Sequence, residues 1–308
     1  LRKTHIYFLL VGIMLIWGFN VSIIKILVAH FPPVTITSLR IFTAGVTVFI
    51  ILGLTKQLRI PYKNEGVYIF FGALLSVVSH HYFLAAGLVS TTAVNAGLIL
   101  GMGPLLTAVF SMILLKRKPT WIRLAGFILG GLGVTLTILA GGKGFTSMNS
   151  GDLDILLSIL SQAMSFIIIR KASETMDTRL LTGYMLMIGS ILLFILSLWA
   201  EPGGIHTLTD GTPLVWLAFA ISAVFATAVG HMVYNYAIGQ IGAAEASIFM
   251  NLSTFFSLAG AALFLSEPLF PAHFFGLILI VSGVVLGSGS LEELFLKKKN
   301  KFFYYHDK

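Results

Sequence analysis

Residues 126–136 read GFILGGLGVTL, and residues 276–286 read GLILIVSGVVL. Laid one on the other at an offset of 150 positions, Gly126, Ile128, Leu129, Gly133, Val134 and Leu136 meet Gly276, Ile278, Leu279, Gly283, Val284 and Leu286. The same offset brings Leu115 onto Leu265, Ala96 onto Ala246 and His81 onto His231. Leucine and isoleucine coincide often in any apolar chain, so the glycines and the histidine carry the match. Self-similarity at one fixed offset marks a chain built from two copies of one unit.

That unit belongs in a bilayer. Of the 308 residues, 57% are hydrophobic and only 10% charged, against about 25% charged in soluble proteins; the mean hydropathy is +0.94. So few charges cannot clothe a soluble globule of this size, and so much hydrophobicity excludes disorder. A helix needs roughly 20 apolar residues to cross the hydrocarbon core. Such stretches lie near 6–29, 34–54, 66–89, 91–115 and 121–140, and again near 151–171, 180–200, 213–238, 243–266 and 272–289. Each copy thus holds five spans, an odd number, so the second copy enters from the opposite side. The expected fold is an all-α integral membrane protein of ten transmembrane helices arranged as two inverted five-helix repeats. The repeats occupy residues 1–145 and 146–290, and a basic tail occupies 291–308. Inverted repeats build many secondary transporters, in which a midplane site opens first to one side and then to the other.

The charges set the direction. Lys and Arg gather on the cytoplasmic side of membrane proteins. With the N-terminus inside, the inner segments hold Arg2, Lys3, Lys56, Arg59, Lys63, Lys116, Arg117, Lys118, Arg123, Arg170, Lys171, Arg179 and the lysines of the tail, leaving Lys143 outside and Lys25 and Arg40 within spans. Both termini are therefore expected in the cytoplasm, in a plasma or inner membrane. The net charge of +8 is explained by topology and gives nucleic-acid binding no support. Arg2-Lys3 before an apolar stretch also resembles a signal peptide, but the stretch is too long for one and lacks a small-residue cleavage site; a retained first helix is expected. The chain has no cysteine, hence no disulfide and no thiolate chemistry.

Several residues carry a family likeness. The first hairpin reads Trp17-Gly18-Phe19-Asn20, then Lys25, Pro32-Pro33 and Arg40; the fourth-to-fifth junction runs from Pro119 to Gly133, and the ninth-to-tenth from Glu267-Pro268 to Gly283. In this order they resemble the EamA-type branch of the drug/metabolite transporter superfamily, over about residues 6–289. The resemblance implies a small-molecule carrier, commonly an exporter of amino acids or related metabolites. The Glu usual at the junction is present as Glu267, whereas the first copy has Lys116-Arg117-Lys118 there. Multidrug relatives carry a buried Glu in the first helix, where this chain offers Asn20 and Ser22.

Polar residues inside spans are costly and tend to face a cavity or a neighbouring helix. Thr227, His231, Tyr234 and Asn235 recur at helical spacing in the eighth span, as do Ser76, Ser79, His80, Phe83 and Gly87 in the third. The sixth offers Ser158, Ser161, Gln162 and Ser165, and the ninth Ser247, Asn251 and Thr254; Trp17 and Asn20 share a face of the first, and Asn95 stands near the start of the fourth. The reading is a hydrated central cavity, with Trp17, Asn20, Arg40, His80, His81, Asn95, Gln162, His231, Tyr234, Asn235 and Asn251 as candidate substrate-binding residues. Helix–helix hydrogen bonding is the plainer account of the same residues. Imidazoles titrate near pH 6.5, so the histidines are candidates for coupling protons, for substrate contact or for ordinary packing. Lys25 and Arg40 flank the turn at 30–33; they either snorkel to headgroups, pair with Asp152 and Asp154, or engage a substrate carboxylate.

All 12 Asp and Glu residues fall at span ends, in loops or in the tail. Nothing midspan would neutralise a cationic drug, so a zwitterionic or anionic metabolite fits better. An intramembrane metal hydrolase would need two His at i, i+4 with a Glu, and His80-His81 are adjacent. No Gly-x-Ser-x-Gly elbow and no P-loop occur, so neither catalysis, ATP nor any cofactor is expected. A sugar-phosphate or nucleotide-sugar exchanger would want more buried Lys and Arg. The pairs Gly126/Gly130 and Gly283/Gly287 recur in both copies, which favours packing within a functional monomer over dimerisation.

Overall fold

The computed structural model describes residues 3–114, 120–140 and 150–287; Lys116, Arg117, Lys118, Lys143 and the tail at 291–308 lie outside them. All of the regular structure among the described residues is helical. The first half supplies α1 (Lys3–His30), α2 (Pro33–Leu54), α3 (Gly66–Ser90), α4 (Ala93–Leu114) and α5 (Trp121–Ala140). The second supplies α6 (Ser150–Ala172), α7 (Thr178–Ala200), α8 (Pro213–Ile241), α9 (Ala243–Leu265) and α10 (Pro271–Gly287). Eight of these are long and apolar enough to cross a membrane; α5, apolar over Trp121–Gly133, and α10 are shorter by that measure. The protein is thus a multi-pass membrane protein.

The turns are written in the local chemistry. Pro33 opens α2 and Pro213 opens α8, at the position where a helix has no use for the missing N–H. Thr92, Asp177 and Thr212 cap α4, α7 and α8, each accepting from a backbone N–H of the first turn, as N-cap side chains do. Gly242, between α8 and α9, sits at φ +91°, where a side chain would be strained.

Two kinds of irregularity interrupt the helices near their middles. Residues Ala73–Ser79 of α3 and Ser222–Val229 of α8 are π-helical. The α-helical run of α4 stops at Leu100 and resumes at Gly103, and that of α9 stops at Ile248 and resumes at Met250. The irregular stretches of α3 and α8 fall at nearly the same offset as the sequence match, and so do those of α4 and α9.

Packing is inside-out relative to a soluble protein. Phe8, Trp199, Phe275 and Ile278 lie open on the outer surface, while Ser22, Ser76, Ser158 and Asn235 are wholly buried. With no water in hydrocarbon, polar groups must find partners within the bundle. The principal helix pairs are α5 with α10, α2 with α7, α1 with α9 and α3 with α6. The α5–α10 contact is made by backbone. A Cβ added to Gly126 would strike the amide nitrogen of Gly287, and one on Gly283 would come within 2.5 Å of Gly130 N and 2.7 Å of Gly126 O. Glycines of both copies therefore pack two helices of one chain together.

The two ends of the bundle differ. At one, Glu201 accepts from the backbone N–H groups of Val34 and Thr35 at the start of α2 (2.9 and 2.8 Å). Glu267 does the same for Ala93 and Val94 at the start of α4 (both 2.9 Å), and Thr91 donates its hydroxyl to Asp152. Three carboxylates of the second half thus hold the first half. Lys25 donates to the carbonyls of Leu88 and Thr91 (2.6 and 2.8 Å) and so caps the C-terminus of α3, a placement that suits a cation. At the opposite end Arg59 grips Glu65 with both nitrogens (2.6 and 2.8 Å), and Tyr62 N–H adds a third bond (2.7 Å).

Two stability measurements on detergent-solubilised protein check this packing. Gly283→Ala overpacks a backbone contact and should cost about 1–3 kcal/mol, whereas Gly131, with nothing within 4 Å of an added Cβ, should gain about 0.5–1 kcal/mol as Ala. The second concerns Glu65, whose carboxyl the Arg59 guanidinium holds below the ordinary value of 4.5. A depressed pKa contributes stability above the unfolded value and loses it as pH falls through the folded one. Glu65→Gln should therefore lower the melting temperature at pH 7, and the gap to wild type should close on acidification below about pH 4.

Candidate functional site

Between the halves lies a cavity with about 70 Å³ open to the centres of water molecules, room for several waters. From the first half come Trp17 and Asn20 of α1, His80 and His81 of α3 and Leu100 at the break in α4. The second half answers with Gln162 of α6, Thr227 and His231 of α8 and Met250 and Ser253 of α9. His80, His81 and His231 come directly after the two π-helical stretches. A π turn holds one residue more than an α turn and so re-aims the side chains of the next turn. It also frees carbonyls: Ala226 O, inside the α8 stretch, accepts from Trp17 Nε1 at 2.8 Å. Gly230 makes that seat, since a Cβ there would stand 2.5 Å from the indole nitrogen.

The rings form a continuous chain. Centroids of His80 and His81 are 4.7 Å apart, His81 and His231 5.4 Å, His231 and Trp17 5.1 Å, Trp17 and Tyr234 4.9 Å, and Tyr234 and Phe166 5.1 Å. Hydrogen bonds fix how the imidazoles are oriented. His80 Nδ1 faces the carbonyl of Ser158 (3.2 Å) and its hydroxyl (2.8 Å), and His231 Nδ1 faces the carbonyl of Thr227 (3.1 Å). A carbonyl only accepts, so in both rings Nδ1 carries the proton and a neutral ring keeps its lone pair on Nε2.

Arg40 stands behind the wall. It is 2% exposed, yet it donates only to neutral groups: Thr227 Oγ1 at 2.6 Å, Ser222 Oγ at 3.5 Å and His81 Nδ1 at 3.3 Å. No ion pair to it forms among the described residues. It neither snorkels nor reaches Asp152 or Asp154, and Lys25 serves the end of α3 instead.

Of the sequence candidates, Trp17, Asn20, His80, His81, Gln162 and His231 meet at the cavity, and Arg40 supports it from behind. The others do not line it. Tyr234 is packed beneath Trp17 and Phe166, Asn235 donates to Thr182 of α7 (2.9 Å) and Asn251 to the carbonyl of Ile248 (3.0 Å). Asn95 sits in the first turn of α4, its N–H taken by Thr92. Tyr234 and Asn235 follow His231 in the regular α-helical part of α8, about one turn further along, where Trp17, Phe166 and Thr182 take the place of the cavity. Residue type and spacing do not single out Ser222 or Glu201, whose roles depend on which helix lies opposite.

A sequence profile described as the EamA-like transporter family matches residues 4–139 and 149–289. The chain belongs to that family. Two relatives from Bacillus subtilis (strain 168) are each named an uncharacterized transporter. YyaM is 28% identical over 298 residues, covering 94% of this chain and 95% of its own. YcxC is 30% identical over 299 residues, covering 95% of each. A solved structure titled only as the crystal structure of a protein shares the fold, with a TM-score of 0.62 at 18% identity over 93% of this chain and 97% of that one. The EamA assignment points to transport rather than catalysis, and the described residues hold no cluster of His, Asp and Glu suited to a metal.

In an EamA cavity of this shape the hydroxyl of Tyr234 has no task. It is fully buried and unpaired among the described residues, and a buried hydroxyl without a bond is a cost. Tyr234→Phe should hold or raise the melting temperature and leave transport within about twofold of wild type, provided the ring alone matters.

Proposed function

We propose that the protein is a secondary carrier, an exporter of small metabolites, that moves amino acids or related zwitterionic and anionic compounds by alternating access. The observation that carries this reading is the cavity itself, a largely apolar space into which both halves set polar groups, walled by α1, α3 and α4 on one side and by α6, α8 and α9 on the other. A cavity shared by two halves opens to either side when the halves rock. The architecture we infer is ten spans in two inverted five-helix repeats with both termini in the cytoplasm of a plasma or inner membrane. Support comes from the sequence offset, from the paired π stretches and from the paired breaks in α4 and α9. Helix contacts run the same way: α3 packs on α6 as α8 does on α1, and α4 packs on α6 as α9 does on α1. On this topology the carboxylate end faces out and the Arg59 end faces the cytoplasm. The working unit we infer is the monomer, because the repeated glycines are used inside it.

Coupling protons, where they are used, fall to His80 and His231, whose Nε2 lone pairs remain open to a proton while Nδ1 still donates to a carbonyl. The test is efflux of labelled amino acids from proteoliposomes, with and without an imposed pH gradient. We expect selective efflux for some members of the panel, reduced tenfold or more by His231→Ala with membrane insertion intact. Efflux indifferent to the gradient would retire the proton. Efflux of sugar phosphates alone would move the substrate to the exchangers of the same superfamily, and no flux of any solute would overturn the carrier.

A further inference from the structure

The directions of the hydrogen bonds around Arg40 carry a step that rests on the carrier reading. A guanidinium can only donate. Its Nη2 meets His81 Nδ1 at 3.3 Å, so that nitrogen holds the lone pair and the ring proton sits on Nε2. The Nε2 atom is buried and unpaired among the described residues, on a ring that lines the cavity. A second proton on His81 would set an N–H against the N–H of Arg40, so this ring is locked as a neutral donor. On the other edge Nη1 donates to Ser222 Oγ, whose single hydrogen goes to Asn20 Oδ1 at 2.6 Å. Asn20 is left with its amide NH2 for the cavity. Across the space, Ser76 gives its hydrogen to Gln162 Oε1 at 3.5 Å, which leaves a second amide NH2.

We propose that Arg40 is a positioning residue that turns the cavity into a receptor for a carboxylate, received by His81 Nε2–H and the Asn20 amide without contact to the guanidinium itself. Two of the three free donors are polarised by the same buried cation, and hydrogen bonds to an ionised acceptor are roughly twice as strong as neutral ones. One guanidinium balances a monoanion, whereas a phosphate dianion would remain half unmatched in a medium of low dielectric. A cation would meet Arg40 with like charge. The lone pairs of His80 and His231 stay available for a donor on the same ligand, such as an ammonium.

The test compares matched pairs on the purified full chain: labelled alanine, leucine and phenylalanine, each beside its carboxamide, by scintillation-proximity binding and by proteoliposome flux. At least one acid should bind tenfold or more tightly than its amide. Arg40→Met should collapse that ratio to within threefold while Arg40→Lys keeps most of it. His81→Phe should collapse it too, and His81→Gln, which restores an N–H donor, should recover part. A purely structural role for Arg40 would weaken both members of a pair together and leave the ratio standing. Where Arg40→Met fails to give monodisperse protein, His81→Phe decides. Equal binding of acid and amide, preference for the amide, an unchanged ratio in these variants, or no binding of any acid would overturn the assignment. Flux without acid preference leaves the carrier standing, and no flux at all removes both.

Discussion

Arg40 keeps a full charge where water does not reach, and its hydrogen bonds go to two hydroxyls and an imidazole. Withdrawing an ion from water costs several kcal/mol even after relaxation, and among the described residues the usual compensation, a carboxylate, does not pair with it. Much of the central architecture can be read as what makes that tolerable. Ser222 and Thr227 lie in the π stretch of α8, Thr227 handing its hydrogen back to the carbonyl of Ser222 at 2.9 Å. His81 comes just after the π stretch of α3. Both irregular segments thus place acceptors around one guanidinium, and the outward faces of the same groups, or of groups they bond, make the wall of the cavity.

The acidic residues are deployed by the same logic. Asp152, Glu201 and Glu267 stay at the margin, where each meets hydrogen-bond donors at a helix end. Carboxylates at helix N-termini answer both the bare N–H groups and the helix dipole. Fixed negative charge therefore serves to join the halves at the ends of the bundle, Glu245 meeting Tyr7 and Lys3 at the end away from the other three, and the centre is left electropositive. An uncompensated cation in the middle is the feature on which the proposed carboxylate receptor rests.

Much of the fold was legible because hydrocarbon imposes so few solutions. Apolar length gave the helices, Pro32-Pro33 marked the turn before α2, and the glycines at 126, 130, 283 and 287 pointed to close packing within the chain. The caps Thr92, Asp177 and Thr212 and the α5–α10 pairing emerged only from the structure. The site was legible by residue type and only partly by position. Trp17, Asn20, His80, His81, Gln162 and His231 are polar or amphipathic groups in apolar surroundings, and they do converge. Tyr234, Asn235, Asn95 and Asn251 satisfy the same criterion and go to packing or to local bonds. What separated the two groups was the depth along the helix at which each residue sits and the identity of the facing helix. Neither leaves a mark in composition or in a regular period. The direction of each hydrogen bond was equally hidden, since it depends on which partner sits behind His81 and Asn20.

The glycine contact between α5 and α10 has a mechanical side. Most helix pairs interlock through side-chain ridges seated in grooves, and sliding one past the other means lifting every ridge. Where Gly126 and Gly130 lie on Gly283 and Gly287, backbone rests on backbone and there is little to lift. The pair resists separation through close dispersion contact, yet offers a low threshold to twist and slip. One helix of this pair belongs to each half. The seam thus has the character of a bearing, close in contact and with few side chains to lift along its length.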